Sequence, residues 1–223
     1  WHGKPIPVFK AEDAFFGDFT NAAYLAWRDE PATLESIAAW SQRVVTLTGA
    51  GEPERIRITA ATATLFPALG VRPLIGSFFE ARDETSPVVV LSEGLWRQRF
   101  NADPSVLSRA VHLDGEAYAV VGVLPDSVAY PNRQARAIVP FRVPPASGNH
   151  LSLFSAIALL RPGVTPAQAV AEGTARGLLA ADTGMTTTAI FGSNGPVAIA
   201  AQPLHEALTA DVRRPLIVLL VAV

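Results

Sequence analysis

Early in the chain the spacing of apolar residues changes period twice. Over residues 21–29, Ala23 and Trp27 stand four apart, and Thr20 is placed to cap a helix start. Pro31 ends that helix, and Leu34, Ile37 and Ala38 predict one further helical turn. Residues 43–48 read as a strand closed by Gly49-Ala50-Gly51. Over 54–63 the order Arg55, Ile56, Arg57, Ile58 alternates polar and apolar, a strand with one wet face. The two strands predict a hairpin. Residues 65–70 form a short apolar helical turn ending at Gly70, and 71–76 read as a connecting loop.

The uninterrupted apolar run Val88-Val89-Val90-Leu91 suits a strand buried on both faces, as in a βαβ unit. Ser92 then caps a helix with Glu93 in its first turn, where the helix dipole favours negative charge. Trp96 and Phe100 share its inner face, and Arg97 and Arg99 are expected to face away. Residues 111–113 and 118–123 flank Asp114-Gly115, a strong hairpin signal. The stretch 124–150, with Pro125, Pro131, Pro140, Pro144, Pro145 and Gly148, reads as a loop-rich junction. Residues 151–160 predict a long apolar strand. Thr165-Pro166-Ala167-Gln168 is a capping box with proline at the first helical position. Its helix is expected to reach about residue 181, with Val170, Thr174, Leu178 and Ala181 on one stripe. A polar stretch follows over 182–195, then a last strand over 197–201 and a short segment over 204–209. The mixture predicts an α+β fold with at least one βαβ-like unit.

Composition narrows the function classes. The 223 residues fit one large domain or two small ones, at about 100–200 residues each. The formal net charge of −2 lacks the basic footprint of a nucleic-acid binder. The absence of cysteine removes disulfides, thiolate catalysis and cysteine metal sites. Charged residues make up only 17%, and mean hydropathy is +0.27, so the chain has an extensive core or a surface meant for a partner. The only methionine is Met185, and no secretory leader pattern opens the chain, so it reads as a piece of a longer protein. At the other end, Leu216 to Val223 follow Arg213-Arg214 as unbroken apolar sequence. They read either as the first part of a membrane helix, which needs about 20 such residues, or as a buried terminal element.

Candidate chemistry is sparse. His2, His112, His150 and His205 show no metal-ligand spacing. His112 reads as solvated beside a turn, and His205-Glu206 as polarity at a helix start. Val90-Leu91-Ser92-Glu93-Gly94 has strand–serine–helix order, but Val90 stands where a nucleophile elbow needs glycine, so Ser92 reads as a cap. Gly49-Ala50-Gly51 lacks the third glycine and the lysine of a phosphate loop, and Glu52 and Glu54 read as solvated turn carboxylates. The residues therefore predict no catalytic, cofactor-binding or metal-binding site and no enzyme.

Three ordered blocks carry a resemblance. The first is Gly51-Glu52-Pro53-Glu54-Arg55-Ile56 followed by the run from Leu65 to Gly76. The second is VVVLSEGLWRQRF from Val88, with Asp103-Pro104-Ser105-Val106. The third is Leu113-Asp114-Gly115-Glu116 with YAVVGVLP from Tyr118. Together they resemble the extracytoplasmic core domain of MacB-type, FtsX-like ABC transporter permeases, in particular the duplicated orphan permeases typical of Acidobacteria. The resemblance covers roughly residues 18–223. It implies a porter-like βαβ subdomain with an inserted second, mainly-β subdomain. It implies residues 1–17 as the lead from a first transmembrane helix, 18–212 as the periplasmic core and 213–223 as the start of a truncated transmembrane helix. Subdomain junctions are expected near 76–86 and 124–150.

The resemblance further implies an inner-membrane protein whose domain here is periplasmic. Its implied partners are a cytoplasmic ATPase, a second permease copy and, as a further candidate, a periplasmic adaptor, with no cofactor and no nucleic acid. Such a domain couples ATP hydrolysis to extracytoplasmic work or export by mechanotransmission. The alternative from another class is a soluble ligand-binding or sensor domain of related fold, and a third reading is a hydrolase using Ser92. The sequence departs from the family pattern at turns. Ser77 follows Gly76 where arginine is usual, Asn101-Ala102 replaces a glycine pair, and Ser108 stands where glycine is common. Where such a turn needs positive φ, the replacement costs about 1 kcal/mol.

Overall fold

The computed structural model describes residues 7–11, 19–128, 133–145, 153–178 and 199–203. In chain order its strands are β1 (Pro7–Ala11), β2 (Phe19–Thr20), β3 (Leu34–Thr48), β4 (Glu54–Ala61), β5 (Ile75–Gly76), β6 (Val88–Ser92), β7 (Ala110–Leu113), β8 (Glu116–Leu124), β9 (Ala137–Pro140), β10 (Leu153–Leu160) and β11 (Ile199–Pro203). Its helices are α1 (Asn21–Arg28), α2 (Leu65–Leu69), α3 (Glu93–Phe100) and α4 (Pro166–Leu178). The fold is α+β. The chain divides into two compact units. Ala38–Val143 forms one continuously, and His2–Ile37 with Pro144–Val223 forms the other, so the first is inserted in the sequence of the second. The boundaries fall at 37/38 and at 143/144, the latter within 124–150; the stretch 76–86 lies inside the inserted unit.

In the inserted unit the strands close on themselves. β3 pairs antiparallel with β4, β4 parallel with β9, and β9 antiparallel with β6. β6 runs parallel to β8 through the α3 crossover, β8 forms the Asp114-Gly115 hairpin with β7, and β7 returns to β3. Closure leaves no open edge among these six strands. Alternate residues fill the interior: Val45 and Leu47, Ile56 and Ile58, Val111 and Leu113. A register shift between Val89 and Val90 makes Val121 an extra residue in β8, so Val120 and Val123 both point inward despite their odd spacing. Leu95, Trp96 and Phe100 of α3 join this core, and the Trp96 indole N–H donates to the Asp103 carbonyl at 2.9 Å.

The flanking unit rests on a split βαβ. β10 and β11 each pair antiparallel with β1, so they run parallel with β1 between them, and α4 connects them in sequence. Pro7–Ala11 thus lies in the stretch read as a lead from a membrane helix and is a paired strand. α1 packs Trp27 and Tyr24 inward, with Tyr24 edge-on to Phe154 at 5.3 Å between ring centres.

Several elements differ from the sequence expectation. Leu34, Ile37 and Ala38 belong to β3, not to a helical turn. Leu34, Ile37, Ala38 and Ala39 are all buried, so the strand's alternation is hidden there. Ala137–Pro140, expected as proline-rich loop, is the strand between β4 and β6, with Pro140 at its last position, where a missing N–H is tolerated. Ile75–Gly76 pairs with β8 instead of looping freely. On α4 the fully buried side chain is Ala169, one position from the expected Val170, and Gly173 is buried with it. The last described strand is Ile199–Pro203, and residues 197 and 198, its expected start, lie outside the described residues. Residues 182–195, 204–209 and Leu216 to Val223 lie outside the described residues.

Candidate functional site

Two charged clusters organise the described residues, one in each unit. In the inserted unit, the hairpin turn after β3 brings Glu54 to the start of β4, where α3 lies against the strands. Arg99 on α3 donates from Nε at 3.1 Å and from Nη2 at 2.5 Å to Glu54 Oε2, and from Nη1 to the Ala50 carbonyl at 3.3 Å. Arg136, just before β9, stands 3.7 Å from the other Glu54 oxygen and donates to Gln98 Oε1 at 2.5 Å. The Arg99 hydrogen bond, helped by the Arg136 charge, holds the Glu54 carboxyl below the usual carboxylate range. Two sequence expectations are corrected here. Glu54 is a paired carboxylate and not a solvated one, and Arg99 turns toward the strands while Arg97 stays exposed.

Around the start of α3, side-chain oxygens take up the N–H groups of Gly94 and Leu95. Ser92 Oγ accepts the Leu95 N–H at 3.1 Å, which is the cap geometry. Glu93 accepts from Arg97 at 2.7 Å and from the Asp126 N–H at 3.2 Å, and Asp126 in turn accepts the Gly94 N–H at 3.1 Å. The hydrogen bond from Arg97, joined by the Asp126 N–H, lowers the Glu93 pKa. Ser92 is therefore occupied as a cap.

In the flanking unit the centre is Glu172 on α4. It accepts the Ala32 N–H and the Thr33 N–H at 2.8 Å each, the Thr33 hydroxyl, and Arg176 Nε at 2.9 Å. Partial burial pushes its pKa up, but the Thr33 hydroxyl, the two backbone N–H groups and Arg176 outweigh it and bring the value to about 2. Arg176 also donates to the carbonyls of Asp29 and Glu30 at 2.8 Å each, placing positive charge at the C-terminal end of α1. The i, i+4 spacing of Glu172 and Arg176 is visible in sequence, but their reach to residues about 140 positions away is not.

His112 lies on β7, half-buried, with Nδ1 close to Gly49: a Cβ built there would come within 3.1 Å. His2, His150 and His205 lie outside the described residues. Among the described residues no three histidine, aspartate or glutamate side chains gather as a metal-ligand set, and no helix is long and apolar enough to cross a membrane. In both clusters the carboxylate is held by partners from its own unit, a chemistry of holding elements together, and Arg136 Nε is buried with no hydrogen-bond partner among the described residues.

A family model described as the MacB-like periplasmic core domain matches residues 5–176. This chain belongs to that family. Solved structures agree in fold. The periplasmic region of MacB from Actinobacillus actinomycetemcomitans aligns with a TM-score of 0.64 at 14% identity, covering 95% of this chain and 94% of that one. A domain of a putative permease protein from Porphyromonas gingivalis aligns with a TM-score of 0.62 at 17% identity, covering 89% and 88%. The extracellular domain of the noncanonic ABC-type transporter YknZ from Gram-positive bacteria gives 0.58 at 15% identity, covering 89% and 98%. Compared by sequence with curated proteins, the chain finds no match. The MacB-like domain described here is thus a periplasmic domain of an ABC-type permease.

Proposed function

We propose that this MacB-like domain is the periplasmic working part of an inner-membrane permease, coupling cytoplasmic ATP hydrolysis to extracytoplasmic work or export by mechanotransmission. It carries no catalysis of its own. The observation behind this reading is the family match across residues 5–176. The internal bonding supports it. A domain that passes on motion needs elements that resist deformation, and here a closed ring of strands is pinned to α3 through Glu54 and Arg99, while Glu172 and Arg176 tie α4 to the end of α1. The partners of this reading are a cytoplasmic ATPase, a second permease copy and a periplasmic adaptor.

The test is the full-length permease with its ATPase in lipid nanodiscs, with one spin label on each copy of the inserted unit. The expected result is an inter-label distance distribution that differs between the ATP-trapped and nucleotide-free states. Identical distributions in both states, with ATP turnover intact, would overturn the reading.

A further inference from the structure

The outside of the strand ring in the inserted unit is covered unevenly. Where β4 and β9 carry Thr59, Ala61 and Ile138 outward, the wall is buried. Further along the same outer face it lies open. Val44 pairs across the strands with Arg57, and Thr46 with Arg55, so these four side chains share one face. Val44 is 46% exposed, and both arginines are exposed. The face continues through β7 onto Ala117 and Ala119 of β8, which are also exposed.

Three features distinguish this strip from an ordinary wet sheet face. Besides the two arginines, its outward positions on β3, β4, β7 and β8 hold alanine, valine and threonine with one half-buried histidine, His112, between Thr48 and Ala117, and none holds a carboxylate. The nearby carboxylate of Asp114, in the turn at the rim, accepts the Thr46 N–H at 2.7 Å. Arg55 and Arg57 stand two residues apart on one strand, about 7 Å from each other along it. That is the repeat of alternate side chains in any extended chain. A membrane surface is gripped by long apolar anchors beside the basic groups, and the apolar side chains of the strip are only valine and alanine.

We infer that this strip is a docking surface for an extended acidic segment of a partner protein, with carboxylates at alternate residues meeting Arg55 and Arg57 over the platform of Val44, Ala117 and Ala119. Arginine forks recognise carboxylates bidentately, and small flat side chains let an extended backbone approach. The inference stands on the inserted unit's geometry and does not depend on what drives the permease.

The experiment is an NMR titration of the isotope-labelled full chain with a synthetic alternating Glu-Ala peptide, and in parallel with phosphatidylglycerol vesicles. Expected are amide shifts concentrated at Val44, Thr46, Ala117 and Ala119, affinity that falls as salt rises, at least a tenfold loss in the Arg55→Gln/Arg57→Gln variant, and partial recovery with lysine at both positions. Unchanged thermal melting of the variants shows that they fold. Absence of binding, shifts spread elsewhere, or affinity retained by the glutamine variant would overturn the inference. So would vesicle binding that the peptide does not compete away.

Discussion

Arg99 and Glu54, 45 residues apart, close the contact between the α3 helix and the first turn of the strand ring. The Arg99 and Glu54 side chains are only 19% and 31% exposed, so their charge-assisted bonds are sheltered from water. Arg99→Ala is expected to destabilise the inserted unit by about 2 kcal/mol, since it leaves Glu54 with only the longer Arg136 contact. Glu54→Gln should cost less. Urea denaturation reads both. Because the Glu54 pKa is lowered in the folded state, its contribution is present above the ordinary carboxylate range and fades as pH falls through it. Glu54→Gln should flatten that acid limb, and an unchanged limb would show that the pair contributes nothing.

Asn101 and Ala102, in place of the family's glycine pair, both adopt positive φ, 51° and 55°. Asparagine tolerates this region, whereas the alanine methyl group is strained there. Ala102 packs its methyl against the ring core, so some burial is lost on removing it. Ala102→Gly is expected to stabilise the protein by about 0.5–1 kcal/mol, seen as a higher urea midpoint at unchanged slope. Destabilisation would mean that methyl burial outweighs the strain.

β5 and β8 approach most closely where Gly76 pairs with Gly122. A Cβ on Gly122 would stand 2.1 Å from the Ser77 carbonyl oxygen, and one on Gly76 would stand 2.3 Å from the Val121 carbonyl oxygen. Both obstacles are backbone. Gly122→Ala is expected to cost about 3 kcal/mol, detaching β5 before the ring opens. Hydrogen exchange should show the Ser77 amide, which bonds the Val121 carbonyl, losing protection first. Gly70→Ala, where nothing lies within 4 Å but φ is +64°, should cost about 1 kcal/mol.

Glu172 governs acid stability in the flanking unit. Its folded pKa of about 2 lies below the unfolded value near 4.5, so its stabilisation is complete above pH 5 and declines between pH 5 and 2. After solvent screening the effect is on the order of 2 kcal/mol. Glu172→Gln should lower stability at pH 7 and remove that part of the pH dependence. Melting temperatures measured across this window decide it.

Ser92→Ala should cost about 1 kcal/mol, the ordinary loss of a helix cap, with no other change. Loss of a measurable hydrolytic turnover with folding intact would revive the serine as a nucleophile.

How much of this was legible follows from the range of each interaction. The cap at Ser92, the Thr165–Gln168 box, the left-handed stop at Gly70 and the Asp114-Gly115 hairpin close within a few residues, and each stands in the structure where the spacing placed it. Ala137–Pro140 carries no such signal. Four residues among prolines become a strand only because β4 and β6 offer backbone partners on both sides. The alternation of β3 is erased where consecutive residues are buried, so its first part reads as helix in isolation.

The sequence by itself determined the caps, the tight turns and the α+β class, because these are written in neighbouring residues, and its three ordered blocks carried the resemblance to the family. Tertiary structure alone decided that six strands close into a ring, that Arg99 faces Glu54, and that Glu172 collects the N–H groups of Ala32 and Thr33. It also left Arg55 and Arg57 on an open wall. These depend on pairings between distant residues, whose energies appear only once the backbone has brought them within hydrogen-bond reach.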